Sequence, residues 1–245
     1  MNPIFKAMLA VTLGALCAPA ISSQQPVWKP RPVAADAIKV LLVTGGHNHD
    51  LEFYEVFRDD RLRTVVDPHP EAFSGDLRKR YDVLVLYDMV KTIEEPRRKN
   101  LRAFVESGKG VVSLHHAIGS NVDWPWWYEE VVGGRYLFDE VNGKKSSYLH
   151  DEEQTIKPLM DHPITRGIAP FRILDETYKN LWISPKVAPL LHSDNPTSDG
   201  VVAWISPYEK SRVVYIQLGH DRNANLNPNW QKLVRNAIVW AAERR

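Results

Sequence analysis

Cysteine is nearly missing from this chain: Cys17 is the only one in 245 residues. It falls in an amino-terminal segment where Met1 to Lys6 carries one positive side chain, Ala7 to Leu16 is largely apolar, and Ala18-Pro19-Ala20-Ile21-Ser22-Ser23 is rich in small residues. That succession predicts a secretory signal peptide over residues 1–23, and with it a periplasmic or extracellular location. The apolar run is too short for a permanent span, so the mature form is expected to have none. Removing the signal leaves no cysteine, which excludes a disulfide, a thiolate ligand and a cysteine nucleophile. A lipid anchor on Cys17 is the alternative to cleavage beyond it, although Leu16 suits a small-residue lipobox poorly.

An excess of one charge is lacking too. Thirty-one lysines and arginines face thirty aspartates and glutamates, and losing Lys6 with the signal equalises them. A neutral chain has no electrostatic footprint for nucleic acid. The basic runs Arg78-Lys79-Arg80 and Arg97-Arg98-Lys99 are short and read as solvated faces. Several catalytic signatures are absent as well. There is no H-E-x-x-H, Gly45-Gly46 lacks the dinucleotide and Walker patterns, and Ser113 has no G-x-S-x-G elbow around it.

What remains is an ordinary globular composition with many prolines (17) and tryptophans (8). Residues 24–37 hold three prolines without periodicity and read as a linker, so that residues 38–245 form the folded domain. That domain opens on Ile38-Lys39-Val40-Leu41-Leu42-Val43-Thr44, a nearly continuous apolar run suited to a strand buried on both faces. Asp50 is expected to cap a helix carrying Phe53, Val56 and Phe57. Further strands are expected at Arg63 to Val66, Tyr81 to Tyr87 and Val111 to Leu114, with a helix from about Glu95 to Ser107. Strand, helix and strand in this rhythm predict right-handed βαβ units and a parallel sheet. Trp124 to Gly134 reads as a short helix, and Phe138 to Asp161 as a polar stretch without a defined element. Strands follow at Phe171 to Leu174, Val187 to Leu191, Gly200 to Ile205 and Arg212 to Leu218. Asn227 caps a last helix with Pro228 in its first turn and Leu233, Val234, Ala237, Ile238 and Ala241 as its apolar stripe, Arg244-Arg245 favouring its carboxyl end.

Most histidines sit just after strands. His47, His49 and Asp50 follow the first, and His115-His116 end the fourth. Asp175, Glu176 and Tyr178 follow Ile173-Leu174, and His220-Asp221 follow Leu218. Ligands of open parallel sheets bind outside the carboxyl ends of the strands, so four segments are expected to meet at one edge. Imidazoles with Glu176 suit a divalent ion such as zinc or manganese, while a metal-free His and Glu pair suits general acid–base catalysis. Trp124, Trp126, Trp127 and Trp182 could stack on a sugar ring or simply cover the sheet. His69 and His162 read as loop and turn residues, and His150 and His192 as exposed. Tyr148, His150 and Asp151 are together the one candidate lid over the edge.

Several runs resemble the ThuA-like (trehalose-utilisation) family in order. They are Val43-Thr44-Gly45-Gly46-His47-Asn48-His49-Asp50, Gly108-Lys109-Gly110-Val111-Val112-Ser113-Leu114-His115-His116-Ala117, Trp124 to Gly134, Asp161-His162-Pro163-Ile164 with Gly167, Asp175-Glu176-Thr177-Tyr178, Leu218-Gly219-His220-Asp221 and Trp240-Ala241. One position departs: Ser211, not glycine, precedes Arg212-Val213, which touches only the local turn. The resemblance implies a flavodoxin-like three-layer α/β sandwich with a mostly parallel central sheet, related to class I glutamine amidotransferases. Those relatives carry a cysteine at the strand-to-helix elbow where His115-His116 stands here, so their chemistry is not implied. It also implies a link to sugar utilisation, often beside oxidoreductases that make keto-sugars.

The expectation is an exported enzyme acting on a sugar or keto-glycoside by hydrolysis, elimination or isomerisation. His49, His115, Glu176 and His220 form its catalytic and metal-binding core. His47, Asp50, His116, Trp126, Tyr178, Trp182 and Asp221 are expected to contact substrate. The rival readings are a non-catalytic carbohydrate-binding protein and an inert structural module. The partner is expected to be a small carbohydrate, with no nucleic acid.

Overall fold

The computed structural model describes residues 33–243. The expected signal peptide, Cys17, most of the linker and Arg244-Arg245 lie outside the described residues. The end of that linker, residues 33–37, makes a turn tied to the domain by Ala34 N donating to Asp60 O.

In chain order the strands are β1 (Ile38–Gly45), β2 (Leu62–Pro68), β3 (Val83–Asp88), β4 (Gly110–Leu114), β5 (Gly134–Arg135), β6 (Ser147–Pro158), β7 (Phe171–Lys179), β8 (Trp182–Ile183), β9 (Ala188–Ser193), β10 (Val201–Ile205) and β11 (Val213–Ile216). The α-helices are α1 (Arg97–Glu106), α2 (Arg222–Asn225) and α3 (Pro228–Ala242). Among the described residues nine strands form one sheet in the order β2-β1-β3-β4-β11-β10-β9-β6-β7. The first five run parallel, and every pairing from β11 to β7 is antiparallel. β5 and β8 pair separately.

Alternation along the parallel strands divides the core into two layers. Val40, Leu42, Val83, Val85, Val214 and Ile216 face α3 and its Trp230, Leu233, Val234 and Ile238. Leu41, Val43, Leu84, Leu86 and Tyr215 face α1 with its Leu101, Phe104 and Val105, together with the short helix Trp126–Val132. Helices thus cover both faces, which is why β1 reads as an unbroken apolar run: Val40, Leu41, Leu42 and Val43 are all 0% exposed. Each such side chain contributes about 1.5–3 kcal/mol on burial. Gly110 lets α3 approach β4, since a Cβ there would collide with the Ala241 carbonyl.

Asn227 caps α3 as expected, accepting from Asn229 N at 3.0 Å. Three expectations change. Leu51–Phe57 is a seven-residue 3-10 helix; Asp50 holds its N-cap position as expected, but its side chain makes no cap bond, and Oδ2 accepts from Arg222 N at 2.8 Å instead. The polar stretch around 147–158 is the twelve-residue strand β6. The strand expected to end at Leu174 continues to Lys179, so Asp175, Glu176 and Tyr178 lie inside β7 rather than beyond a parallel strand. β6 pairs with β9 only over Ile156–Pro158. The rest of the β6–β7 hairpin extends past that pairing and reaches the carboxyl ends of β4 and β11.

Candidate functional site

β4 delivers His115. The backbone turns sharply there, at φ +48°, and starts the short helix His115–Gly119. The Tyr215 hydroxyl donates to the His115 carbonyl at 2.9 Å and holds this elbow. The ring is wholly buried, and its Nδ1 donates to Gln217 O at 2.6 Å, which leaves Nε2 facing the site.

The loop after β11 delivers His220. Asp175, buried in β7, clamps it: Oδ2 accepts from Gly219 N at 2.8 Å, and Oδ1 from His220 N at 3.0 Å and Glu176 N at 2.8 Å. Burial pushes the Asp175 carboxyl up to about 6, against the opposing influence of His115 and these amides. From the parallel core, the Tyr87 hydroxyl donates to Gly219 O at 2.6 Å.

Glu176 completes the group. Its Oε2 lies 3.0 Å from His115 Nε2 and 3.5 Å from His220 Nδ1, and the two ring nitrogens are 3.0 Å apart. His115, Glu176 and His220 thus each offer one donor atom, all within 4.8 Å of one another. The Tyr178 hydroxyl is 3.1 Å from His115 Nε2, with its ring stacked on the imidazole. Burial depresses the His115 imidazole, but the hydrogen-bonded Glu176 carboxylate outweighs it and the net shift is upward. Burial raises Glu176, and the hydrogen bond and charge of His115 bring it below its ordinary value. Burial, then the His115 charge, lowers His220.

A cavity of about 300 Å³ meets this group at Glu176 and Tyr178. Its walls are largely apolar: Met89, Ile118, Tyr136, Phe138 and Tyr148. His47, His116 and His150 also line it. The His47 ring stacks on His116 with centroids 4.5 Å apart. Burial, with the nearby charges of His115 and His47, depresses His116 to about 2, so this ring is neutral. Its Nε2 donates to Tyr87 O at 3.3 Å, and its Nδ1 is buried without a protein partner.

The expected residues therefore divide. His115, Glu176, His220 and Tyr178 are brought together, with His47 and His116 alongside. His49 turns away: its Nε2 bonds the Tyr54 hydroxyl at 2.8 Å and its ring packs edge-on against Phe53 and Tyr87. Asp50 and Asp221 brace loops, Asp50 through Arg222 N and Asp221 as the cap of α2, accepting from Asn223 N and Ala224 N. Trp126 packs against Trp124 and Trp127 under the Arg102 guanidinium, and Trp182 packs edge-on against Tyr128; neither lines the cavity. Trp124, Trp126 and Trp127 belong to the second core layer, and smaller aromatics wall the site.

Tyr136 and Phe138 carry no signal in the sequence that marks them as cavity walls, whereas His150, expected as part of a lid over the edge, meets Glu176 there. His69, read as a loop residue, is buried with Nδ1 2.7 Å from Asp88 Oδ2.

The chain matches the family described as ThuA, trehalose utilisation, over residues 26–241. Among curated proteins none is significantly similar in sequence. A ThuA-like protein from Parabacteroides merdae superposes with a TM-score of 0.73 at 19% identity, over 84% of this chain and 90% of that one. One from Bacteroides uniformis gives 0.65 at 19% identity, over 87% and 95%. PurLQS from Thermotoga maritima gives 0.55 at 11% identity, over 83% and 99%, a likeness of fold alone. The fold is thus of the glutamine amidotransferase-like type, with His115 at the elbow and no cysteine among the described residues. With the family matched along most of its length, the chain belongs to the ThuA (trehalose-utilisation) family, a family tied to carbohydrate metabolism.

Proposed function

We propose that this protein is an exported enzyme acting on a sugar or keto-glycoside, with a divalent ion such as zinc or manganese held by His115, Glu176 and His220. The observation that carries the reading is the convergence of two imidazole nitrogens and one carboxylate oxygen at 3.0, 3.0 and 3.5 Å from one another beside a cavity. Donors around a tetrahedral ion with bonds of about 2.1 Å lie roughly 3.4 Å apart, so the set fits with little movement. Two histidines and a glutamate leave the fourth position open, as a catalytic site requires. Gln217 O orients His115 in the way outer hydrogen bonds orient ligating imidazoles.

A bound ion would supply polarisation of a carbonyl or of a water molecule. The chain's own residues do the rest. Tyr136, Phe138 and Tyr148 offer aromatic faces to the C–H faces of a pyranose ring. His116 adds a neutral imidazole to the cavity wall, with its Nε2 committed to Tyr87 O. Tyr178 offers a hydroxyl beside the donor set. Hydrolysis, elimination and isomerisation next to a carbonyl all use these parts. Export is supported by the pattern of residues 1–23.

The test is turnover of a panel of keto-glycosides and their parent sugars by purified protein, with His115→Ala and Glu176→Gln beside it. Loss of turnover in both folded variants supports the reading. Unchanged turnover in both sinks it, and sugar binding without turnover in the wild type favours a binding protein.

A further inference from the structure

β6 and β7 fall out of step opposite Glu176. Leu149 pairs with Thr177 and Glu152 with Asp175, so His150 and Asp151 together face Glu176 alone. Two residues against one make a β-bulge, a feature that re-aims side chains beside active sites. Asp151 absorbs the extra residue at φ +56°, a left-handed conformation that aspartate tolerates better than most side chains. Continued unbroken from Glu152, the register would set Asp151 against Glu176, one carboxylate against another, a repulsive cross-strand pair. The bulge gives the place to His150 instead.

His150 uses it. Its Nδ1 lies 3.2 Å from Glu176 Oε1, the oxygen not engaged by His115 and His220. Its ring lies 4.6 Å from that of His220 and 5.1 Å from that of Tyr148, and it lines the cavity. Glu176 is therefore gripped from both sides, with His150 on Oε1 and the His115 and His220 pair on Oε2.

We infer that His150 is a positioning residue, held by the Asp151 bulge, which fixes Oε1 so that Glu176 presents Oε2 alone to the His115 and His220 nitrogens. The inference deepens the proposed site and rests on Glu176 belonging to that donor set. Without His150, Oε1 loses its imidazole partner and the carboxylate is held by its contacts with His115, His220 and Tyr178. Outer partners of a ligating group are generally worth about 10–100-fold in metal affinity, which sets the size of the effect.

Two measurements on the full chain test it. The first uses metal-free protein with 15N-labelled histidine and records long-range 1H–15N spectra of the imidazoles. Glu176→Gln and Asp151→Val are each expected to move the His150 Nδ1 signal, and Asp151→Gly to leave it, since glycine accepts the left-handed turn that valine resists. A His150 signal indifferent to Glu176→Gln overturns the inference, whichever Asp151 variant folds. The second titrates Co2+ alone. His150→Ala should bind it about 10–100-fold more weakly than wild type. His150→Asn, whose Nδ2 stands close to the place of the imidazole Nδ1, should recover most of the loss. Equal affinities in wild type and His150→Ala overturn the inference. Failure of the wild type to bind Co2+ overturns the metal part of the proposed function instead, and the metal-free spectra then decide the His150 and Glu176 pair alone.

Discussion

Glu176 Oε2 lies 3.0 Å from His115 Nε2, although four strands separate β7 from β4 in the sheet. The hairpin bridges that distance because β6 leaves β9 after three residue pairs and Asp175 then fastens β7 to the backbone of Gly219 and His220. Proximity of the two side chains thus depends on the clamp beside them. Replacing Asp175 with alanine leaves three amide donors without their partner. Hydrogen bonds to charged groups contribute about 1.5–3 kcal/mol each, so a loss of at least about 2 kcal/mol is expected. Urea unfolding of Asp175→Ala measures it, and an unchanged midpoint would mean that the clamp carries no load.

The loop that carries His47 depends on a glycine. Gly46 sits at φ +73°, and a Cβ there would collide with the Met89 carbonyl. Left-handed strain alone costs a non-glycine residue about 1–3 kcal/mol, and the collision adds to it. Gly46→Ala should therefore lower the thermal midpoint clearly and shift His47 away from His116. Gly75→Ala, where the space around a Cβ is open, should cost less in the same melting experiment.

A pH effect is expected far from the cavity. His162 caps the short helix Pro163–Thr165 by accepting from Ile164 N at 3.2 Å, which requires a neutral Nδ1. Burial, and then the Arg212 charge, lower its pKa below the ordinary 6.5. The unfolded chain therefore binds the proton first as pH falls. The contribution to stability is complete above about 6.5 and is lost as pH falls through the lower folded value. Asparagine caps without titrating, so His162→Asn should show a smaller drop in urea midpoint between pH 7.5 and pH 5 than wild type. Equal drops would contradict the assignment.

Ligand recognition should follow the small aromatics rather than the tryptophans. Tyr136→Ala and Phe138→Ala remove cavity walls, whereas Trp126→Ala acts on a cluster that does not line it. By calorimetry with any sugar the wild type binds, each of the first two should weaken binding by about two- to tenfold, in line with ~0.5–1.5 kcal/mol per aromatic contact. Trp126→Ala should leave affinity nearly unchanged.

The parallel half of the fold was legible because β1, β3, β4 and α3 are buried enough for hydrophobic pattern to mark them. His115 and His220 were legible for the same reason: each follows a recognisable strand. Glu176 was found, but from an incorrect placement, since Ile173-Leu174 is not the end of a parallel strand but the middle of an antiparallel one. β6 was not legible. Ser147 to Asp151 is exposed on both sides, so no period appears, and the bulge at Asp151 breaks what alternation there is. His49 was misjudged because sequence places it beside His47 without showing that Tyr54 draws it away. The tryptophans were ambiguous from composition; Trp124 and Trp126 pack under Arg98 and Arg102 as cover for the sheet, and Trp182 packs edge-on against Tyr128.

The central claim is that His115, Glu176 and His220 hold one divalent ion. Its most direct test is calorimetric titration of chelator-treated wild type with Zn2+ and Mn2+, beside His115→Ala and Glu176→Gln confirmed as folded by circular dichroism. The account predicts one equivalent bound by the wild type, and affinity reduced at least ~100-fold, beyond what outer partners are worth, in both variants. Absence of binding in the wild type, or equal binding in all three, would contradict it.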